Sequence, residues 1–563
     1  MDSLSGRFDP AVRFQRAYAE MLCARLRYVP YPGVRVALEA EWVEPRGLAA
    51  ALARNARVVI TGAPGAGKTT TLAYLASTFA RALLTHPHAP LPLFFSASDA
   101  QPLPRIYDLP RGLNLSDALA AQTPRIFFAS AFASGRAVVL IDDADALSAD
   151  AQRGALKEYQ NAPMIASAQT ALPGFAEFRL PGFRDRDIAT FARKLDAQNA
   201  AAFMSALKTN NVPRALTRHP MSLGLLARVW RSDAPLPTRR ADLFGAYAQM
   251  IVGDSGEALK MLEGVALAIQ RSRPAPNEFL AKSHGFLRAA KNRSVEFTHE
   301  LWQAYFAARA LRETSDLPWR DHLADPAWRE VILFYAGLGD ATELVLNLQS
   351  QGDTWLAARA GARARALRAD LHAQMTQGLI ARAWSGDVHA ATVLGEMGDD
   401  AVVDGWAAKL KDKNPTVRMR AAELLGQVPS DRATDYLLPV LRDANGDVRA
   451  KVAEALGRAQ TDRVVEPLLV ALRGDARGGA PDPRLRVAAA RALGEIGSDK
   501  AVPALVVDLQ MGEPAVRAAA AEALERIHSP LMIESLQGLA QSADEDLRRY
   551  AQDILEVVNG KGK

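Results

Sequence analysis

The strongest chemistry in this 563-residue chain lies in VVITGAPGAGKTTTL, where Gly62-Ala63-Pro64-Gly65-Ala66-Gly67-Lys68-Thr69 fulfils the spacing G-x-x-x-x-G-K-[ST]. Glycines at these positions let the backbone curl until successive N–H groups point at phosphate oxygens. A helix starting at Lys68 adds its partial positive charge. Lys68 is placed to reach the β- and γ-phosphates, and Thr69 to put a hydroxyl on Mg²⁺. The cofactor-binding stretch runs from Gly62 through Thr70.

A magnesium site needs a carboxylate at the end of a second strand. AVVLIDDADAL supplies it: Val138 to Ile141 are β-formers, and Asp142 follows as the metal ligand beside Thr69. Asp145, three residues on, is the candidate that polarises an attacking water, so Lys68, Asp142 and Asp145 form the catalytic set. The N/T-K-x-D motif that accompanies guanine recognition is absent, which favours ATP and ADP with Mg²⁺ as cofactors. Cys23 is the only cysteine, so neither an internal disulfide nor a cysteine metal cluster is available.

The elements that must hold these residues follow from the pattern. Up to about Leu180, apolar β-rich runs alternate with helical ones, as in a parallel α/β layer. Strands are expected at 57–61, 92–96, 137–141, 164–167 and 175–180. Phe14, Tyr18, Met21 and Leu22 put an apolar face on a helix over 14–28, expected to pack on the nucleotide domain. From about Gly182 to Ala383 the texture is helical. The arginine-rich stretch from Trp355 to Leu371 reads as a solvated helix face.

A repeat closes the chain. VRMRAAELLGQV begins at Val417, VRAKVAEALGRA at Val448, LRVAAARALGEI at Leu485, VRAAAAEALERI at Val516 and LRRYAQDILEVV at Leu547, with an imperfect copy at Val388. A second helical run precedes each copy, such as 433–441 and 464–472, so the period describes an α-solenoid of stacked helix pairs. Arg418, Arg449, Arg486, Arg517 and Arg548 hold the second position of each copy, where pairing with turn carboxylates such as Asp447 or Asp546 is expected. From Asp387 onward there are 23 basic and 28 acidic residues, which disfavours a nucleic-acid groove there. The remainder carries the positive charge of a chain whose formal total is +5, so an electrostatic contact between arm and switch is expected at rest. The repeat motif resembles short HEAT-like repeats over about 387–558.

The order of motifs resembles the NACHT branch of the signal-transduction (STAND) P-loop ATPases. It is carried by the P-loop followed by LPLFFSAS, the acidic strand with Asp142 and Asp145, MIASAQ with FRLPGFRDRDIATFARKL, RHPMSLGLLARV, and FTHELWQAYFAARAL with PAWREVILFYAGL. The resemblance implies a multidomain chain. A short helical segment occupies 1–50, an α/β nucleotide-binding domain of the AAA+/STAND type 51–182, a helical domain 183–234 and a winged-helix-like domain 235–315. A helical connector (316–386) and the HEAT-like solenoid (387–563) follow. It also implies a switch: ADP holds the protein closed, ATP exchange opens it for homo-oligomerisation, and the arm senses a protein or other ligand, in antiviral or immune-like defence. Pro220 then lies near the adenine and His299 contacts the ADP β-phosphate.

Two departures stand out. The family has Asp-Glu where this chain has Asp145-Ala146, and Ser-Arg where it has Ala168-Gln169. Both losses imply slow hydrolysis, with turnover below about 1 s⁻¹. The competing functions are a constitutive nucleotide-bound scaffold and a nucleic-acid-dependent ATPase. No run approaches the roughly 18 apolar residues of a membrane span and no signal-peptide core is visible, so a cytoplasmic protein is expected.

Overall fold

The protein is described from a computed structural model. The described residues are all except 1–8, 46, 98–102, 110–112, 114, 125, 232–233, 291–292, 315–318, 429, 475–481, 528 and 559–563. Ser98 of the LPLFFSAS motif and most of the Gly/Pro-rich insertion between the second and third repeats lie outside them, as do the first eight residues. The chain divides into two compact units, with the boundary in sequence between Gly182 and Phe183.

In the first unit a hairpin, β1 (Tyr28–Tyr31) and β2 (Val34–Ala37), precedes a five-stranded sheet. The sheet contains β3 (Arg57–Thr61), β4 (Leu91–Ser96), β5 (Ala137–Asp142), β6 (Met164–Ala168) and β7 (Ala176–Arg179). Its order is β4-β5-β6-β3-β7, and every pairing is parallel. Parallel strands buried on both faces must be apolar throughout, and β5 and β6 are buried at every position. The strand expectations hold within one or two residues. The difference that matters is at β5, which runs one residue further and takes Asp142 into the ladder opposite Ser96.

The N-terminal helix runs Pro10–Arg25, earlier than the expected 14–28, because Asp9 caps it and Pro10 opens it. The hairpin takes the residues beyond. This helix is part of the first unit's core: the Phe14 ring meets Phe127 at 4.8 Å, and the Tyr18 hydroxyl donates to the Pro92 carbonyl at 2.7 Å. The helix Lys68–Thr85 lies on the sheet through Leu72, Ala76, Ala80 and Leu83.

The second unit is mostly helical. After the helices Asp185–Leu195, Ala200–Thr209 and Pro220–Val229 come Arg240–Val252 and Gly256–Gln270. A small antiparallel sheet follows, with β8 (Ala275–Pro276), β9 (Leu287–Ala289) and β10 (Ser294–Phe297) in the order β8-β10-β9. The helix Glu300–Arg312 then buries Trp302, Tyr305 and Phe306 among Phe244, Phe286 and Phe334. The reading of Trp355 to Leu371 as one solvated face is corrected. One helix covers Thr354–Arg363, burying Leu356, Ala357 and Ala360, and the next begins at Ala369 and buries Leu371. Between them Ala366 bridges to Asp340, and burial pushes the Arg363 guanidinium down to about 10.

The repeats form stacked helix pairs. First helices run Pro415–Gln427, Gly446–Ala459, Pro483–Ile496, Pro514–Ile527 and Glu545–Val558, with second helices such as Val465–Arg473 and Val502–Met511 between them. Their A-L-G signature has a steric cause. A Cβ on Gly457 would stand 2.8 Å from the Ala492 Cα, and one on Gly494 would stand 2.6 Å from the Ala523 Cα. Glycine facing alanine therefore lets successive helices approach backbone to backbone. In the fourth and fifth copies Glu525 and Glu556 take the glycine's place, and the motif stops.

Candidate functional site

Because all five strands of the large sheet are parallel, the C-terminal ends of β3, β5 and β6 share one edge, the edge where open α/β sheets bind ligands. Gly62–Gly67 forms the loop leaving β3. Gly65 and Gly67 have φ of 77° and 95°, the left-handed region that glycine enters freely. A Cβ on Gly62 would come within 3.1 Å of the Ala66 Cβ, so the loop also closes on itself at a position without a side chain. The helix from Lys68 carries no side-chain cap at Gly67, leaving its first-turn N–H groups to whatever the loop encloses.

Lys68 is only 8% exposed, and its ammonium donates to the Gly62 carbonyl at 2.8 Å and the Ala63 carbonyl at 3.3 Å. Among the described residues this buried cation is held by carbonyls alone, with no carboxylate to neutralise it. That leaves a positive charge inside the loop. Thr69 and Asp142 are brought together as the spacing requires: the Thr69 hydroxyl donates to Asp142 Oδ1 at 3.2 Å.

Sequence reasoning missed the residue that joins these parts. Ser167 donates its hydroxyl to Asp142 Oδ1 at 2.5 Å and accepts from the Asp143 N–H at 2.9 Å. Only β6 lies between β3 and β5, so a small polar residue near its C-terminal end is the one able to do this. The signal was the lone hydroxyl in MIASAQ. Asp143 follows at φ 53°, a left-handed conformation uncommon for a side chain other than glycine's.

Asp142 is 6% exposed, and its carboxyl is pushed up to about 6. Burial is the main cause, with the Asp143 charge second; the bonds from Ser167, Thr69 and the Asp143 amide oppose it. A dication at Thr69 and Asp142 would relieve this, and a hydroxyl beside a buried carboxylate is a suitable oxygen donor set for Mg²⁺. The loop and this pair therefore fit a magnesium–nucleoside phosphate. Asp145 lies apart: it is exposed and accepts from the Gln169 N–H at 2.8 Å.

Pro220 and His299 belong to the second unit. Pro220 is the first residue of its helix, where His219 caps by accepting from the Ser222 N–H. His299 caps the helix Glu300–Arg312, its Nδ1 accepting from the Leu301 N–H at 3.0 Å.

Within the second unit, arginines of residues 184–218 grip the solenoid. Arg214 donates to the Ala459 carbonyl at 2.8 Å and pairs with Asp431, Arg184 donates to the Ile496 carbonyl at 3.3 Å, and Arg186 reaches the Gly497 carbonyl. These carbonyls end repeat helices, where the helix dipole favours cations. The repeat's own arginines are used structurally. Arg418 forks onto Asp443 at 2.8 Å, Arg449 pairs with Asp482 at 2.9 Å, and Arg486 pairs with Asp508. Arg517 and Arg548 bond turn carbonyls. Of the carboxylates suggested from sequence, Asp447 instead pairs with Arg484.

Sheet, loop and solenoid thus describe a mostly helical protein with one parallel sheet and a C-terminal helical-repeat arm. HEAT repeats match residues 375–457, 403–480, 434–506 and 465–556, so the C-terminal region is built of HEAT repeats. The match begins before the boundary expected at Asp387 and takes in much of the helix Ala369–Trp384. No curated protein matches the chain by sequence. Solved structures similar to it include the complex of CpcE and CpcF of phycocyanin lyase from Nostoc sp. PCC7120, with 26% identity, 32% of this chain, 76% of that chain and a TM-score of 0.23. A designed armadillo repeat protein is similar at 18% identity over 35% of this chain and 97% of its own, with a TM-score of 0.23. Human deoxyhypusine hydroxylase is similar at 20% identity over 38% and 99%, with a TM-score of 0.16. Among the described residues, no helix is long and apolar enough to cross a membrane, and no group of three or more His, Cys, Asp or Glu side chains could hold a metal ion.

Proposed function

We propose that the protein is a P-loop nucleotide switch of the NACHT type, binding ATP and ADP with Mg²⁺ on its first unit and sensing a ligand through its HEAT arm. The observation that carries the reading is the convergence of an uncapped helix N-terminus, a buried Lys68 and the Thr69–Asp142 pair on one sheet edge. The order β4-β5-β6-β3-β7, with one strand between the loop strand and the acidic strand, supports it.

In this reading the Gly62–Thr70 backbone and Lys68 bind the phosphates, and Thr69 and Asp142 hold the magnesium, which neutralises phosphate charge. Ser167 keeps Asp142 oriented. Asp145, tied to the Gln169 amide, is poorly placed to activate water, which favours slow hydrolysis. That same tie supports the second reading, a scaffold that retains its nucleotide. Exchange separates the two: a bound fluorescent ADP chased by excess ATP should leave within minutes from a switch and remain on a scaffold. Nucleotide-driven assembly, measured by light scattering with and without Lys68→Ala, tests the homo-oligomer that a switch would form.

A further inference from the structure

The second helices of the repeats carry an apolar line that no internal contact explains. Pro439, Val470 and Val507 occupy the same position in three successive repeats, and all three are exposed, Val470 at 49% and Val507 at 53%. Met511, one turn beyond Val507, is 84% exposed. A single exposed valine needs no explanation, but one repeated at solenoid spacing makes a continuous strip.

Three residues after each of these positions, on the same helix face, stand Arg442, Arg473 and Gln510. Among the described residues, neither the Arg442 nor the Arg473 side chain has a hydrogen-bond or ion-pair partner, and both are exposed. This sets them apart from Arg418, Arg449 and Arg486, whose guanidiniums are held by Asp443, Asp482 and Asp508. Toward the C-terminal ends of these helices the strip therefore has a positive rim whose charge the fold does not use, while Glu466 lies one turn to the other side of Val470.

We propose that this face, Pro439, Val470, Val507 and Met511 with Arg442 and Arg473, binds an acidic peptide segment anchored by apolar side chains. The proposal deepens the reading of the solenoid as the sensing arm and rests on it. Packed helices stand about 8–10 Å apart, and a polyproline II chain advances about 3.1 Å per residue with three residues per turn. A ligand in that conformation therefore meets successive repeats with every third residue, apolar side chains on the strip and carboxylates toward the two arginines. A polyanion such as RNA, which needs many phosphate contacts, is disfavoured because the strip offers so few unpaired cations.

The test uses the full-length chain and fluorescent peptides of about 12 residues, long enough to cross four helices at that rise. Leucine occupies every third place, and the others are Glu, Gln or Lys. By anisotropy, the Glu series should bind at least tenfold tighter than the Lys series. Arg442→Glu with Arg473→Glu should invert that preference, and Val470→Asp with Val507→Asp should abolish binding. All four positions are exposed, so thermal unfolding should match the parent chain. Failure of all three series to bind overturns the proposal, as does equal binding of Glu and Lys peptides. Tighter binding of a poly(U) oligonucleotide than of the Glu series, lost with rising salt, also overturns it. Nucleotide binding measured on the same preparations separates this failure from failure of the switch reading, because the strip lies in the second unit and the loop in the first.

Discussion

Replacing Asp142 by asparagine should make the nucleotide-free protein more stable while removing its metal site. The carboxyl is pushed from an ordinary 3.8 up to about 6. At about 1.4 kcal/mol for each tenfold change in proton affinity, the ionised group costs the first unit on the order of 3 kcal/mol. The sign follows from which state holds the proton. Below about pH 4 both folded and unfolded chains are protonated, and the cost vanishes. It grows between about 4 and 6, where only the folded chain keeps the proton, and is full above about 6. Asp142→Asn, which cannot ionise, should therefore exceed the parent by about 1 kcal/mol near pH 4.5 and by up to about 3 kcal/mol at pH 7.5. For a unit of this size that is a rise in melting temperature on the order of 5–10 °C. Urea unfolding followed by protease resistance of the first unit, at about pH 4.5, 6 and 7.5, reads the difference. Saturating Mg-ATP should stabilise the parent chain and leave the variant nearly unchanged. A variant less stable than the parent at pH 7.5, or a difference independent of pH, would refute the argument that Asp142 is kept in spite of its burial.

Two further outcomes follow from the packing and the site. Gly457→Ala should destabilise the solenoid by about 1–2 kcal/mol, because the new methyl meets the Ala492 backbone and overpacking outweighs the helix-propensity gain of about 1 kcal/mol; Gly405→Ala, with nothing within 4 Å, should be neutral or stabilising in the same calorimetric scan. Ser167→Ala removes the donor that orients Asp142 and the acceptor of the Asp143 N–H, so it should weaken Mg-nucleotide binding about tenfold while affecting binding in EDTA much less, as titration calorimetry would show.

What the sequence made legible was what repeats or obeys fixed spacing. The five strands, the loop from Gly62 and the solenoid period were readable because each depends on local chemistry: apolar β-runs, glycine at left-handed positions, and a helical stripe recurring with the repeat. What it hid depends on strand order. Ser167 reaches Asp142 only because β6 lies between β3 and β5, and nothing near position 167 announces that. The partners of the repeat arginines were hidden for a similar reason. Turn carboxylates were expected, and Asp443 and Asp482 are such partners; Arg486 instead pairs with Asp508 inside the helix Val502–Met511, and Arg517 and Arg548 bond carbonyls, neighbours set only once the repeats stack. The end of the helix at Arg363 was missed because its arginines suggested solvent, whereas the segment folds back to bridge Asp340.

The central claim is that the loop from Gly62 to Thr70 binds a magnesium–adenine nucleotide. Titration calorimetry of the parent chain and Lys68→Ala with ATP and ADP, after mass spectrometry of any nucleotide carried through purification, tests it most directly. One site per chain is expected, saturable well below about 1 mM, strengthened by Mg²⁺ and lost in Lys68→Ala. A parent chain that carries no nucleotide and binds neither up to that concentration would contradict it, as would a Lys68→Ala variant that binds as tightly as the parent.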